Sequence, residues 1–297
     1  MAVFRVPTGG DSTTSKSTTI AKTYCIIGDP IDHSLSPGMQ NAAFAALNLN
    51  CVYIAFRVPA TELAESVASL RASGIAGFNI TIPHKVAVVK YLDALDDSAK
   101  SAGAVNTVKS NSGAFTGYNT DIDGFIKPLH ARQVDFSGMR ILLLGAGGAA
   151  RAVVASLSRE QKIAELAIAN RDPDKAEKLA EFGSNSGLRT TTLSLQQAGL
   201  MARNSDLIVN ATSIGLKNEK SLIEAQDIRK GSIVYDIVYR PVTTSLLENA
   251  KKAQAIVVYG YEMLIEQGAL AFEIWTGLTA PRSVMKKNLL GIFGEPA

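Results

Sequence analysis

The sequence has few of the residues that build metal centres or disulfide frameworks. Its 297 residues include two cysteines and three histidines. Cys25 and Cys51 fall in strand-like runs, and His33, His84 and His130 are scattered, with no H-E-x-x-H or C-x-x-C spacing. This pattern excludes the familiar zinc sites and reads as two buried, reduced thiols in a reducing compartment. No apolar run approaches the roughly 20 residues needed to span a bilayer. Nor does one charge dominate: 30 lysines and arginines against 27 aspartates and glutamates leave a net +3. With no basic run, a nucleic-acid partner is not expected. The opening residues 1–23 lack an uninterrupted apolar core and are rich in Ser, Thr and Gly. They read as a flexible tail rather than a signal peptide, and the expected location is cytoplasmic.

What is present suits a packed globule, with 46% apolar and 19% charged residues in a chain long enough for two domains. From Lys22 the pattern alternates. "KTYCIIGD", "CVYIAFRV" and "GFNITIP" read as strands, separated by helices at "SPGMQNAAFAALN" and "TELAESVASLRAS". Ser36 is placed as N-cap of the first helix with Pro37 at its first position, and Thr61 as N-cap of the second, which closes near Gly74. Strands separated by helices imply βαβ crossovers and a largely parallel sheet. The pattern breaks at "VNTVKSNSGAFTGYN", a hairpin around Asn111-Ser112-Gly113, followed by a helix near "DGFIKPLHA". A second alternation starts at "RILLLG" and continues through "ELAIAN", "SDLIVNAT", "SIVYDIVY" and "AIVVYG". Two helical stretches end the chain, and periodicity leaves open which domain they join.

The strongest motif is "RILLLGAGGAARAVVASL". An apolar strand enters Gly145-x-Gly147-x-x-Ala150 and leaves as an apolar helix, which is the dinucleotide fingerprint. Gly145 permits the tight turn, Gly147 the close approach of a pyrophosphate, and Ala150 close helix–strand packing. The turn from Gly145 through Ala146, Gly147, Gly148 and Ala149 presents a helix N-terminus, with unpaired N–H groups and a positive dipole end, to phosphate. Where an NAD site carries an acid after the second strand, this sequence has Asn170 and Arg171, with Lys175 one turn on. Two cations suit a 2′-phosphate, so NADP is expected over NAD. Asp172 would repel that phosphate unless it caps the helix that Pro173 begins.

A lysine, Lys85, follows the strand "FNITIP" at the end of a parallel strand, where open α/β sheets bind ligands. A partly desolvated lysine there can exchange protons, although a lone lysine is most often a surface residue. "PIDHSLSP", "NITIPHK", "GAVNT", "NTD", "GAGGAA", "ANR", "NATSIG", "YDIVYRP" and "GYEMLIEQGA" occur in this order. Together they resemble the shikimate dehydrogenase family, from about Tyr24 to the C-terminus.

The resemblance implies an α/β fold: a βαβ substrate domain over 24–121, a Rossmann-like doubly wound NADP domain over 122–261, and C-terminal helices 262–297 packing back on the first. It implies reduction of 3-dehydroshikimate to shikimate with NADPH, in the synthesis of aromatic amino-acid precursors. Lys85 and Asp121 become the catalytic pair. Ser34 and Ser36, helped by Tyr239, hold the substrate carboxylate, and Thr81, Asn106 and Gln267 bind groups near the pair. Thr212, Ser213, Gly260 and Met263 fall on cofactor contacts. Each also has an ordinary structural role open to it: Ser36 as a cap, Asn106 bracing the hairpin, Thr81 in a strand, Gln267 on a helix face, Tyr239 and Met263 in the core. Ile122, Leu216 and His84 stand where the family commonly has glycine, methionine and phenylalanine.

A quinate or dual-specificity dehydrogenase of the same fold is the near alternative, and serine at both Ser34 and Ser36 leans toward shikimate. A non-catalytic nucleotide sensor is the distant one, disfavoured by the presence of both Lys85 and Asp121. The expected partner is a small molecule, with neither nucleic acid nor membrane, and the expected assembly is a monomer or homodimer. Steady-state rates with each nicotinamide cofactor test the reading of Arg171 and Lys175. NADP is expected to give the higher kcat/KM; equal efficiency with NAD would remove the 2′-phosphate argument.

Overall fold

The computed structural model describes residues 21–160 and 162–294. The expected tail lies outside the described residues as far as residue 20, and its last two residues, Lys22 and Thr23, already belong to the first strand. The first half of the chain runs β1 (Lys22–Gly28), α1 (Ser36–Ala46), β2 (Cys51–Arg57), α2 (Leu63–Ala72), β3 (Gly77–Ile80), β4 (Ala94–Leu95), α3 (Asp97–Ala102), β5 (Thr107–Asn111), β6 (Ala114–Tyr118) and α4 (Asp121–His130). The second runs β7 (Arg140–Leu144), α5 (Gly148–Leu157), β8 (Glu165–Asn170), α6 (Pro173–Asn185), β9 (Thr190–Ser194), α7 (Ala198–Ala202), β10 (Leu207–Asn210), β11 (Ile233–Asp236), α8 (Ser245–Lys252), β12 (Ile256–Tyr259), α9 (Gly260–Thr276) and α10 (Arg282–Phe293).

The strands form two sheets. The first has the order β2-β1-β3-β5-β6-β4. Its β1, β2 and β3 are parallel, as the βαβ pattern requires. The hairpin makes the sheet a mixed one, because β5 docks antiparallel on β3 and β6 on β5, while β4 pairs parallel with β6. The hairpin turns at Ser112 and Gly113, with φ of 49° and 87°, the positive values of a two-residue primed turn. The second sheet has the order β12-β11-β10-β7-β8-β9, and every pair in it is parallel. This is the doubly wound nucleotide-binding topology, whose strand order reverses at β7, with β8 on one side and β10 on the other.

Two expected caps are corrected. Leu35 already has helical dihedrals (φ −89°, ψ −8°), so it is the N-cap of α1, and Ser36 is the first helical residue. The Ser36 amide instead donates to Ser34 Oγ at 3.4 Å. Thr61 does not cap α2, because a 3-10 turn over Ala60–Glu62 leads into that helix and Glu62 takes the cap position. Asp172 does cap α6, accepting from the Lys175 amide, with Pro173 opening the helix. Of the two expected buried thiols, Cys25 is buried, but Cys51, at the start of edge strand β2, is only half-buried. Strands β4 and β9 carried no readable pattern. The first has only two residues, and β9 is an edge strand with a mostly exposed, Thr-rich sequence.

The C-terminal helices return to the first sheet. Leu264, Ile265, Phe272 and Trp275 of α9 share a core with Tyr24, Phe44 and Tyr53, while Met263 of the same helix packs into the core of the second sheet. Helix α10 adds Met285 and Leu289 beside α1. The Trp275 ring lies 4.9 Å from that of Tyr24, and its Nε1–H donates to the Val108 carbonyl at 2.9 Å. Gly77 makes this docking possible: a Cβ there would stand 2.4 Å from Trp275 Nε1 and 2.8 Å from the Val108 oxygen. Gly77→Ala is therefore expected to destabilise the fold by about 1–3 kcal/mol through overpacking, measured by urea unfolding. Wild-type stability would contradict this docking of α9.

Candidate active site

Strand β3 delivers the lysine. It ends at Ile80, and a short turn carries Thr81 to Lys85 across the carboxyl end of the sheet. Three hydrogen bonds fix the turn: the His84 amide to the Thr81 carbonyl at 3.0 Å, His84 Nε2–H to the Val58 carbonyl at 2.7 Å, and the Val105 amide to the Lys85 carbonyl at 2.8 Å. His84 is buried and polar, so here the family's common phenylalanine is replaced by a side chain that bonds to the segment after β2.

Asp121 opens α4, where a carboxylate is favoured by the helix dipole. Its Oδ2 accepts from Lys85 Nζ at 2.5 Å and its Oδ1 from Asn106 Nδ2 at 2.8 Å. The side chains of Lys85 and Asp121 are only 14% and 6% exposed, so water screens this pair little. Ile122, at a position where glycine is frequent in the family the chain resembles, is helical and fully buried beside Ala104 and Ala152, so the position demands no positive φ.

Among the described residues, the remaining expected substrate residues make no hydrogen bond to this pair. Ser34 and Ser36 sit together at the start of α1. Thr81 follows β3, and its methyl packs on Gly28 at the end of β1. Gln267 of α9 packs on Gly124 of α4, and its amide donates to the Leu264 carbonyl at 2.9 Å. Tyr239 packs against the first core. Burial raises its pKa and the nearby Arg240 charge pulls it back.

The glycine turn has the tight bend at Gly145 and the buried Ala150 that its spacing implied. Gly145 has φ 108°, and a Cβ there would lie 2.7 Å from the Ala211 carbonyl oxygen. Gly147 is the N-cap of α5, without a side-chain cap, and a Cβ there would meet nothing within 4 Å among the described residues. The turn therefore offers open space in front of bare helix amides, which fits a pyrophosphate. Ala146 packs against the second core and Ala150 is fully buried, with Ala149 half-buried between them. Gly148 faces the other domain, where a Cβ would stand 3.3 Å from Lys85 Cβ and Cδ. The lysine stem thus lies directly on the dinucleotide turn.

Beyond β8, Arg171 and Lys175 are exposed, and Asn170 Nδ2 donates to the Asp172 carbonyl at 2.9 Å. The Asp172 carboxylate accepts from the Lys175 amide and lies 3.3 Å from Lys175 Nζ, contacts that lower its pKa. Capping and pairing reduce its repulsion of a 2′-phosphate. Thr212 folds back on Asn210, donating through Oγ1 to Asn210 Oδ1 at 2.6 Å, and leaves Ser213 exposed. Gly260 lies so close to the Val238 carbonyl that a Cβ would approach it to 2.5 Å. Met263 is 7% exposed within the second core, the ordinary structural role open to it.

One residue escaped the sequence reading. Asp236, at the end of β11, is fully buried. It accepts from Asn210 Nδ2 at 2.9 Å, the Val238 amide at 3.0 Å and Thr244 Oγ1 at 2.6 Å. It ties the turn after β10 to the segment leading to Tyr239. Its only signal was a carboxylate inside the apolar run "SIVYDIVY".

The fold and this geometry define a two-domain, dinucleotide-dependent oxidoreductase with an amine–carboxylate pair between its domains. Family models described as "Shikimate dehydrogenase substrate binding domain", "Shikimate / quinate 5-dehydrogenase" and "Shikimate 5'-dehydrogenase C-terminal domain" match residues 26–108, 129–254 and 260–290. The shikimate dehydrogenase (NADP(+)) of Nitrosopumilus maritimus is 51% identical over 274 residues, covering 92% of this chain and all of that protein. Among solved structures, Thermus thermophilus shikimate 5-dehydrogenase in complex with NADP(H) and shikimate is 37% identical, with a TM-score of 0.80 over 90% of this chain and 98% of that one. The quinate dehydrogenase of Corynebacterium glutamicum in complex with NAD is 28% identical, with a TM-score of 0.83 over 91% and 99%. The chain belongs to the shikimate dehydrogenase family.

Burial raises the Asp236 pKa from its ordinary 3.8 to about 6, against the three hydrogen bonds that favour its ionised form. The native state therefore holds this proton more tightly than the unfolded chain does. The resulting stability is complete below pH 3.8 and is lost as pH rises to about 6. At about 1.4 kcal/mol per pH unit this amounts to roughly 3 kcal/mol. Urea unfolding in pH steps from 4 to 6.5 is expected to show Asp236→Asn gaining stability relative to wild type as pH rises. Parallel profiles would contradict it.

Proposed function

We propose that the protein interconverts 3-dehydroshikimate and shikimate with NADP(H). The observation that carries this reading is the Lys85–Asp121 pair, shielded from water with the lysine stem against the dinucleotide turn. Reducing a ketone requires a hydride at carbon and a proton at oxygen, and bound NADPH supplies the hydride. Lys85 donates the proton or stabilises the developing alkoxide. Asp121 orients the amine and balances its charge, and either residue can serve as the proton carrier. Asn106, Thr81 and Gln267 bind hydroxyl or carbonyl oxygens around the pair. Ser34 and Ser36 donate to the carboxylate at the N-terminus of α1, with Tyr239 beside them.

The turn 145–149 holds the pyrophosphate and Arg171 and Lys175 hold the 2′-phosphate, with Asn170 bracing their loop. Thr212, Ser213 and Gly260 contact the cofactor, and Met263 lies near the nicotinamide. Residues 24–121 with 262–297 form the substrate half, and 122–261 the cofactor half. The proposed setting is the cytoplasm, as a monomer or homodimer; no helix among the described residues is long and apolar enough to cross a membrane. Shikimate is favoured over quinate by the serines at 34 and 36 and by the higher identity to shikimate dehydrogenases than to the quinate enzyme.

The test is absorbance-monitored NADP reduction with shikimate, quinate or neither, using wild type and Lys85→Ala. Wild type is expected to prefer shikimate. The variant is expected to lose about 10²–10⁴-fold in kcat with NADPH affinity unchanged. A preference for quinate, or undiminished turnover by the variant, would overturn the corresponding assignment.

A further inference from the structure

A chain of buried polar side chains runs from edge strand β2 to the catalytic carboxylate. Tyr53 OH donates to Asn79 Oδ1 at 2.6 Å. The Asn106 carbonyl can only accept, so Asn79 Nδ2 faces it and Asn79 Oδ1 is left to take the Tyr53 proton. Asn79 Nδ2 then donates to the Asn106 carbonyl at 3.0 Å and to Thr107 Oγ1 at 2.9 Å. Thr107, having accepted there, spends its own proton on Asn106 Oδ1 at 3.0 Å. Asn106 Oδ1 also receives the Thr120 amide at 2.8 Å. With its oxygen so occupied, the Asn106 amide must present N–H to Asp121 Oδ1, leaving Oδ2 for Lys85. Tyr53, Asn79, Asn106 and Thr107 are all buried, so water cannot replace a missing link cheaply.

We propose that the Tyr53 hydroxyl is a positioning group for catalysis, acting through Asn79, Thr107 and Asn106 to hold the Asp121 carboxylate toward Lys85. Tyr53 is well held for this role. Its backbone N–H and C=O are both bonded, at 2.8 Å, to the side chain of Asn41 on α1, the helix that begins with Ser36. Its ring lies 5.9 Å from that of Trp275 on α9. The same residue therefore links the carboxylate-binding end of the proposed substrate site to its proton-transfer end. Bonds in such a chain polarise one another, so losing the first weakens the last.

The inference rests on the proposed dehydrogenase reading, and the test separates the two. Tyr53→Phe keeps the ring and removes one hydroxyl. Its kcat for shikimate oxidation is expected to fall about tenfold, with KM for shikimate and affinity for NADPH within about twofold of wild type, because no binding contact is lost. In an Asn106→Ala background the same substitution is expected to leave the residual kcat unchanged, since its route to Asp121 has been removed. A purely structural role would lower stability but leave the kcat of folded enzyme intact. If Tyr53→Phe does not fold, Thr107→Val interrupts the chain at its middle and carries the same two expectations. Wild-type kcat in either variant, or the same loss in the Asn106→Ala background, overturns the inference. A wild-type enzyme inactive on shikimate would instead overturn the reading beneath it.

Discussion

The arrangement depends on one ion pair kept from water. Removing one partner of a buried pair leaves an uncompensated charge, typically at a cost of about 3–5 kcal/mol. The scaffold must therefore hold both side chains at once. Lys85 comes from a turn bonded to the ends of β1, β2 and β5, and Asp121 from the first residue of α4. Asn106, just before β5, supplies the remaining hydrogen bond. Three separate stretches converge at one carboxylate, and the packing of the first domain serves that convergence.

The second domain meets the pair at a glycine. Gly148 has no side chain, and the Lys85 stem occupies the space beside it. Gly147, one residue earlier, faces open space at the helix N-terminus. The turn proposed to hold the cofactor pyrophosphate is thus the same turn that touches the lysine, an arrangement that would bring cofactor and amine into one narrow region. Helix α9 reinforces the junction, packing Met263 into one core and Phe272 and Trp275 into the other.

Much of this was legible in residues alone. The second sheet followed from repeated apolar strands and the Gly145-x-Gly147-x-x-Ala150 turn, where the tight turn expected at Gly145 has a steric reason that the structure repeats. The hairpin, α4 and the cap at Asp172 were equally readable, since turn and cap chemistry is local. Whether the last helices joined the first or second sheet was not readable from periodicity, because a helix buried on both sides carries no single face. The cap at Ser36 failed because Leu35 had already entered helical geometry, a matter of one dihedral. Strand β9 was missed because an exposed edge strand needs little apolar sequence. Asp236 and the Tyr53 chain were invisible for a different reason: their partners lie far along the sequence, and only folding makes neighbours of Asn210 and Asp236 or Tyr53 and Asn79.

The account's central claim is that Lys85 and Asp121 meet the reacting oxygen beside the nicotinamide ring. A crystal structure of the complex with NADP and shikimate tests it most directly. The account predicts the oxidisable hydroxyl within about 2.6–3.2 Å of Lys85 Nζ or an Asp121 oxygen, and the carbon that bears it about 3–3.5 Å from the ring carbon that takes the hydride. A substrate bound with that hydroxyl away from both side chains, or with its carboxylate where the hydroxyl should be, would contradict it.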